Sequence, residues 1–294
     1  MAPVIPSFIT EFFHNQLVEW DIARDNFSFL KRNLRKPFTL GRLEGFVQFN
    51  PARKVSTTAR VDTKSINERK CFLCSANRPA EQRELEILPG WQLLVNPFPI
   101  LDYHFTISGK NHLPQKFDLS IAFQLASLLP GMIIFFNDDG AGASAPDHIH
   151  FQAVGNGQLP LMNLIDKFGS HLLHSEPQDI SRVLDVPYCI LAGEVINSDS
   201  IFKETSLSLG KELDNLPKNY FFWMTSDNKL RYAIIPRRAH RPDCYFAEPP
   251  MRRAFSPGAI DMAGILVTPF EEDFKAVDED DILQIYSQVG LPNG

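Results

Sequence analysis

A chain of 294 residues can bury one large core or two ordinary ones, and 44% apolar with 22% charged residues is the balance of a soluble globular protein. A net charge of −6 argues against a nucleic-acid-binding surface as its main business, because such domains run strongly basic. The N-terminus lacks the positive start and unbroken apolar run of a signal peptide, and the most apolar stretch, SIAFQLASLLPGMIIFF, is broken by Gln124, Ser127, Pro130 and Gly131, so neither secretion nor a membrane span is expected and the location reads as cytoplasmic.

Residues 8–34 carry apolar and charged residues at helical spacing and predict a helix or helix pair. FTLGRLEGFVQFNPARKVS (38–56) reads as strand with a turn at Asn50-Pro51. GWQLLVNPFPI and HFTISGK predict two more strands, and residues 118–129 a helix running into a buried strand over 131–136. A loop of small residues follows (Gly140–Ala145), then DHIHFQAVGNG at 147–157. After Gly157 the pattern partly restarts: YCILAGEVI, a helix near 199–213, a hairpin turning at TSDNKL inside NYFFWMTSDNKLRYAIIPRR, and a polar helix at about 277–288. The result is α+β, dominated by antiparallel strands. A first region, 1–157, and a second, 158–294, are expected to share a surface or a sheet.

In DHIHFQAVGNG, His148, His150 and Gln152 fall on every second position. On a strand they line one face about 7 Å apart, while Ile149, Phe151 and Ala153 turn to a core. Such a row is either an amphipathic strand with unusual polar choices or a row of chemical groups. A neutral imidazole can attack phosphorus, and a carboxamide can donate to phosphoryl oxygens. The preceding NDDGAGASAP lets backbone N–H groups approach phosphate closely, with Gly142 and Ser144 at its centre.

Cys71 and Cys74 form a C-x-x-C, which in a reducing cytoplasm is half of a metal site or a redox pair. The surroundings look like an irregular knuckle rather than the start of a helix. His112 and His148 are the better-placed additional ligands for zinc, against the plainer reading of two buried structural cysteines. Arg237, Arg238, His240 and Arg241 form a basic cluster that is either a solvated face or a phosphate holder, with Arg238 as the candidate contact. His14, His171 and His174 read as surface or satisfied helix positions, and Trp20, Trp91 and Trp223 as core.

HIHFQ resembles the active-site H-x-H-x-Q of the transferase branch of the histidine-triad superfamily: galactose-1-phosphate uridylyltransferase, diadenosine tetraphosphate phosphorylase and the GDP-hexose phosphorylases. The resemblance extends to Asn96 in VNPFPI, to Asn137 eleven residues before His148, to Arg53 in GFVQFNPARKVSTTARVD and to GAIDMAGILVTPFEEDF. It implies an antiparallel sheet flanked by helices in two related halves. It also implies His150 as nucleophile, Gln152 as the group steadying a nucleotidylated intermediate, and a structural zinc on Cys71, Cys74, His112 and His148. Arg53, Asn96, Asn137, Gly142 and Ser144 would contact nucleotide or phosphate. Ungapped alignment puts Ala145 on the family's phosphate-binding serine, so Ser144 serves only if the loop shifts by one residue, and Asp147 stands where the uridylyltransferase has proline.

The activity implied is nucleotidyl transfer or phosphorolysis of a nucleotide-linked phosphoanhydride, either a nucleoside diphosphate sugar or a dinucleotide, to phosphate or a sugar phosphate. Hydrolysis and non-catalytic nucleotide binding are the alternatives. Hydrolytic members carry a third histidine where this chain has Gln152. A homodimer is left open.

Overall fold

A computed structural model describes residues 3–172, 180–183, 185–195 and 211–293. Two helices open it, α1 (Ser7–Glu19) and α2 (Asp21–Leu30), the pair expected from the 3.6-residue period. A hairpin follows, β1 (Arg35–Leu40) and β2 (Leu43–Phe49). β2 ends at the turn expected at Asn50-Pro51, but the residues beyond it, read as strand to 56, are not extended. Pro51 has no N–H for a ladder, and Pro51–Arg53 and α3 (Lys54–Thr57) coil instead. A further short helix, α4 (Thr63–Glu68), is capped by Asp62 accepting from Ser65 N–H.

Then come β3 (Leu85–Leu88), β4 (Trp91–Val95), β5 (Phe105–Gly109), α5 (Leu119–Leu128), β6 (Met132–Asn137), β7 (His150–Gly155) and α6 (Pro160–Leu172). The second region supplies β8 (Ile180–Arg182), β9 (Leu191–Val195), β10 (Lys218–Met224), β11 (Leu230–Pro236), β12 (Ile265–Thr268) and a C-terminal helix, Glu279–Val289. The helix expected near 199–213 falls outside the described residues, apart from the short turn Lys211–Asp214, and His174 lies outside them too.

Among the described residues nine strands form one sheet in the order β3-β4-β5-β7-β6-β10-β11-β9-β8, and β1-β2-β12 form a second. Both draw strands from either side of residue 157: β6 pairs antiparallel with β10, and β12 lies parallel to β2. The nine-stranded sheet is covered on both faces. Ile134, Phe136, Phe151, Ala153 and Phe222 pack with α1, α2 and α5 residues, whereas Ile133, Phe135, Val154, Phe221 and Trp223 pack with α6 and the C-terminal helix. Double coverage explains the unbroken apolar run MIIFF, since neither face of β6 can afford polarity. Trp20 and Trp223 are core, as expected, and no helix among the described residues is long and apolar enough to cross a membrane.

Candidate active site and metal centre

The pleat of β7 sets the site. Phe151 and Ala153 are fully buried against the helical layer, so His150 and Gln152 point to the opposite face, on the side of the small sheet. His148 lies just before the strand rather than in it, in a bend that turns its ring away toward the knuckle. The expected row of three on one strand face is therefore shortened to two, with His148 reassigned to a neighbouring site.

β6 and β7 pair only as far as Phe135 and Gln152 and then separate. The Gln115 side chain fills the fork. Its amide nitrogen donates to the carbonyls of Asn137 (2.9 Å) and His150 (3.0 Å), and its oxygen accepts from His150 N–H at 2.9 Å. Two of these bonds fix the backbone of His150 and the third ties it to Asn137, a role that nothing in the local sequence signalled.

The His150 ring lies with Nδ1 2.8 Å from the His148 carbonyl, so Nδ1 carries the proton and donates, while Nε2 keeps its lone pair and has no hydrogen-bond partner among the described residues. Burial, reinforced by His148, lowers its pKa to about 4 against the opposing effect of that hydrogen bond, and the imidazole is neutral at physiological pH. Gln152 turns its carbonyl oxygen to His104 Nε2 at 2.8 Å, leaving its NH2 free.

Gln152 and Phe135 form one wall of an open cleft between the two sheets. Asn137, Gly142, Ala143 and Ser144 form a second side, Arg53, Ser56 and Thr57 a third, and His240, Arg241 and Ser256–Asp261 close it. His150 is 5% exposed and is not part of the wall. Ser144 reaches the cleft, whereas Ala145 is fully buried with Cys71 and Leu73 beneath the knuckle.

The small-residue loop is held by polar clamps. Asn137 Oδ1 accepts from Asn219 (2.8 Å) and from Ala259 N–H (2.7 Å), joining this loop to the 256–261 segment. Fully buried Arg237 donates to the carbonyls of Ala141 and Val289 and to Asn219 Oδ1. At Gly142 the backbone has φ +94°, and a Cβ would lie 2.5 Å from Gly258 Cα and 2.7 Å from the Pro257 oxygen. Gly142→Ala is expected to cost about 1–3 kcal/mol and to push the two loops apart. A lower thermal midpoint with weakened nucleotide binding would show it; unchanged values would mean the close approach is unimportant.

Two expected contacts do not reach the cleft. Asn96 is buried in its own turn, Oδ1 accepting from Phe98 N–H at 2.9 Å. Arg238 is exposed, its backbone N–H bound to Val289 O: β11 ends at Pro236, Arg237 turns inward, and the side chain after it faces solvent. Arg241 stands at the cleft instead, donating to Ser256 Oγ (2.9 Å) and the Ala59 carbonyl (2.7 Å) and stacked over Tyr245 at 4.1 Å. Arg53 donates to Phe98 O at 2.9 Å; burial lowers its pKa to about 10, so it stays charged. Asp261 sits beside Arg53 and Arg237, yet burial raises it to about 6. Its two oxygens accept from Gly258 and Val267 N–H groups, a structural use the sequence did not reveal.

Beside this cleft, the donor atoms of Cys71, Cys74, His112 and His148 lie within 4.8 Å of one another. Cys71 Sγ is 3.3 Å and Cys74 Sγ 3.6 Å from His148 Nδ1, and Cys74 Sγ is 3.3 Å from His112 Nδ1. Four ligands about 2.0–2.3 Å from a tetrahedral ion stand roughly 3.3–3.8 Å apart, so this set could hold one. His148 Nε2 donates to Gly109 O at 2.8 Å, which leaves Nδ1 as the ligating atom. Asp147, where the uridylyltransferase has proline, is ion-paired with Arg69 and lies 3.8 Å from His112 Nε2.

A family model described as "Domain of unknown function (DUF4922)" matches residues 12–155, from α1 to the end of β7. No match is found among curated proteins. The crystal structure of yeast Ap4A phosphorylase in complex with Ap4A shares 17% identity with the chain, covering 99% of this chain and 100% of that one at a TM-score of 0.66. The same yeast enzyme in complex with AMP gives 16% identity, 99% coverage of each chain and a TM-score of 0.64. The likeness runs end to end through both chains. It shows that this protein shares the fold of that yeast enzyme.

Proposed function

We propose that the protein is a nucleotidyltransferase or phosphorylase that opens a nucleotide-linked phosphoanhydride through a covalent nucleotidyl-His150 intermediate. The observation that carries this reading is the imidazole itself: Nδ1–H is spent on the His148 carbonyl, burial keeps the ring neutral, and Nε2 is left with a free lone pair. Nε2 attacks the α-phosphorus, forming an N–P bond as the P–O bond to the leaving phosphate breaks and its oxygen takes the electron pair. An oxygen of phosphate or a sugar phosphate then attacks the same phosphorus, and the P–N electrons return to His150. The Gln152 NH2 and the N–H groups of the Gly142–Ser144 loop would bear on the phosphoryl oxygens, with Asn137 beside them. The second region completes the cleft through His240, Arg241 and Ser256–Asp261.

His150 is 5% exposed, and a phosphoryl group seated against Gln152 would shield it further from bulk water, which would favour transfer over hydrolysis. Structures of the fold neighbour hold Ap4A and AMP, which supports a dinucleotide as substrate, with a nucleoside diphosphate sugar the alternative from the HIHFQ resemblance. A panel of both kinds, with and without phosphate, tests it. Turnover that requires phosphate supports the reading, and phosphate-independent release of nucleoside monophosphate would make the protein a hydrolase.

The two cysteines and two histidines suit zinc, and we assign it a structural role. Bound there, it would tie the knuckle to the backbone of His148, whose carbonyl orients the nucleophile; no step of the reaction passes through it.

Arg241 takes the phosphate-holding role expected of Arg238. Arg241→Ala is expected to raise the KM for the phosphate-bearing substrate roughly tenfold or more, the scale of one charge-assisted hydrogen bond. Arg238→Ala should change it less than about twofold. Steady-state kinetics showing the reverse order would return the role to Arg238.

A further inference from the structure

His104, which immediately precedes β5, is fully buried and belongs to none of the motifs discussed above. Its two nitrogens meet groups of opposite kind. Nδ1 accepts from the backbone N–H of Ile100 at 3.1 Å, so the proton must be on Nε2. Nε2 lies 2.8 Å from Gln152 Oε1, and that proton is donated there. Asn96 Nδ2, at 3.4 Å from the same nitrogen, faces it donor to donor, because Asn96 Oδ1 already serves Phe98 N–H. Burial, with Arg53 adding to it, lowers the His104 pKa to about 3, so the ring stays neutral and its tautomer fixed.

A free carboxamide can turn over and exchange its oxygen and nitrogen at little steric cost. At Gln152 the reversed form would set NH2 against the His104 Nε2–H, two donors facing each other in a buried place. The orientation is therefore decided, and the NH2 is the end left for the cleft. An oxygen there would repel a phosphoryl group.

We propose that His104 is a positioning residue: relaying the Ile100 N–H through its ring, it locks the Gln152 amide with the NH2 toward the phosphoryl group. This role rests on the function proposed above. It makes Ile100, His104 and Gln152 one hydrogen-bonded unit whose output is a single aimed donor.

The two ring nitrogens can be tested separately. His104→Asn keeps an acceptor near Nδ1 for Ile100 but has no donor at the Nε2 position, while His104→Gln restores an amide donor there. His104→Asn is expected to lower kcat roughly 10- to 100-fold with KM changed less than about threefold, as for a misaimed group, and His104→Gln to recover part of the loss. Gln152→Ala alone should cost roughly 10²- to 10³-fold, and adding His104→Asn to it should change the rate less than about twofold. Nitrogen NMR of the histidine rings in the full chain should find Nε2–H at His104 and Nδ1–H at His150. Losses that multiply in the double variant, or Nδ1–H at His104, would overturn the positioning role. A wild-type protein that turns over no nucleotide would instead overturn the function and this role together.

Discussion

His150→Ala is expected to lower turnover by roughly four orders of magnitude or more, the scale seen when a covalent nucleophile is removed. The effect should fall on kcat, because the residue sits behind the cleft wall and contributes little to holding the substrate in the ground state. The ring's one side-chain hydrogen bond is to the His148 carbonyl, so its loss should cost only about 1 kcal/mol of stability. His150→Asn separates packing from chemistry: its amide can still donate to that carbonyl but offers no nucleophilic nitrogen. Both variants should melt near the wild type and bind nucleotide, yet both should be inactive. An active Asn variant would mean that the imidazole is not the attacking group.

Removing the metal is expected to have the second largest effect. Structural zinc contributes roughly 10–16 kcal/mol of binding free energy in small peptides, part of which appears as folding stability. In a chain with two well-filled cores only the knuckle and its neighbours depend on it. A loss of about 3 kcal/mol, or roughly 5–10 °C in thermal midpoint, is the scale expected from chelation or from Cys71→Ser. Activity should fall with it, since Ala145 packs on Cys71 while Ser144, next in the loop, lines the cleft. Elemental analysis should find one zinc per chain in the wild type and none in the Cys71 variant. Metal-free protein with full stability and full activity would reduce the cluster to two structural cysteines beside two histidines.

Much of this was legible in the chain because the signals are local. The period-2 pattern of HFQAV and the helical spacing of residues 8–34 give β7 and the α1–α2 pair directly. TSDNKL gives the β10–β11 turn, with Met224 opposite Leu230. The four metal-site residues, scattered over 78 positions, were candidates from residue type and placement, the resemblance strengthened the set, and the fold gathers them. What stayed hidden depends on partners distant in sequence. His104 is an unremarked histidine until β5 is laid beside β7, with Thr106 opposite Gln152. Gln115 matters only because two strands part above it. Within the basic cluster, sequence offered no means of ranking Arg238 over Arg241. The direction of each side chain after β11 depends on where that strand ends and on Arg237 being drawn inward by four carbonyls and the Asn219 amide oxygen.

Intact-mass analysis of the full chain mixed with a nucleotide-linked phosphoanhydride in the absence of acceptor tests the central claim most directly. The wild type should gain the mass of one nucleoside monophosphate as an acid-labile adduct, retained at neutral pH as a phosphoramidate and discharged on addition of phosphate. Turnover without any adduct, or an adduct that persists in His150→Ala, would contradict the account.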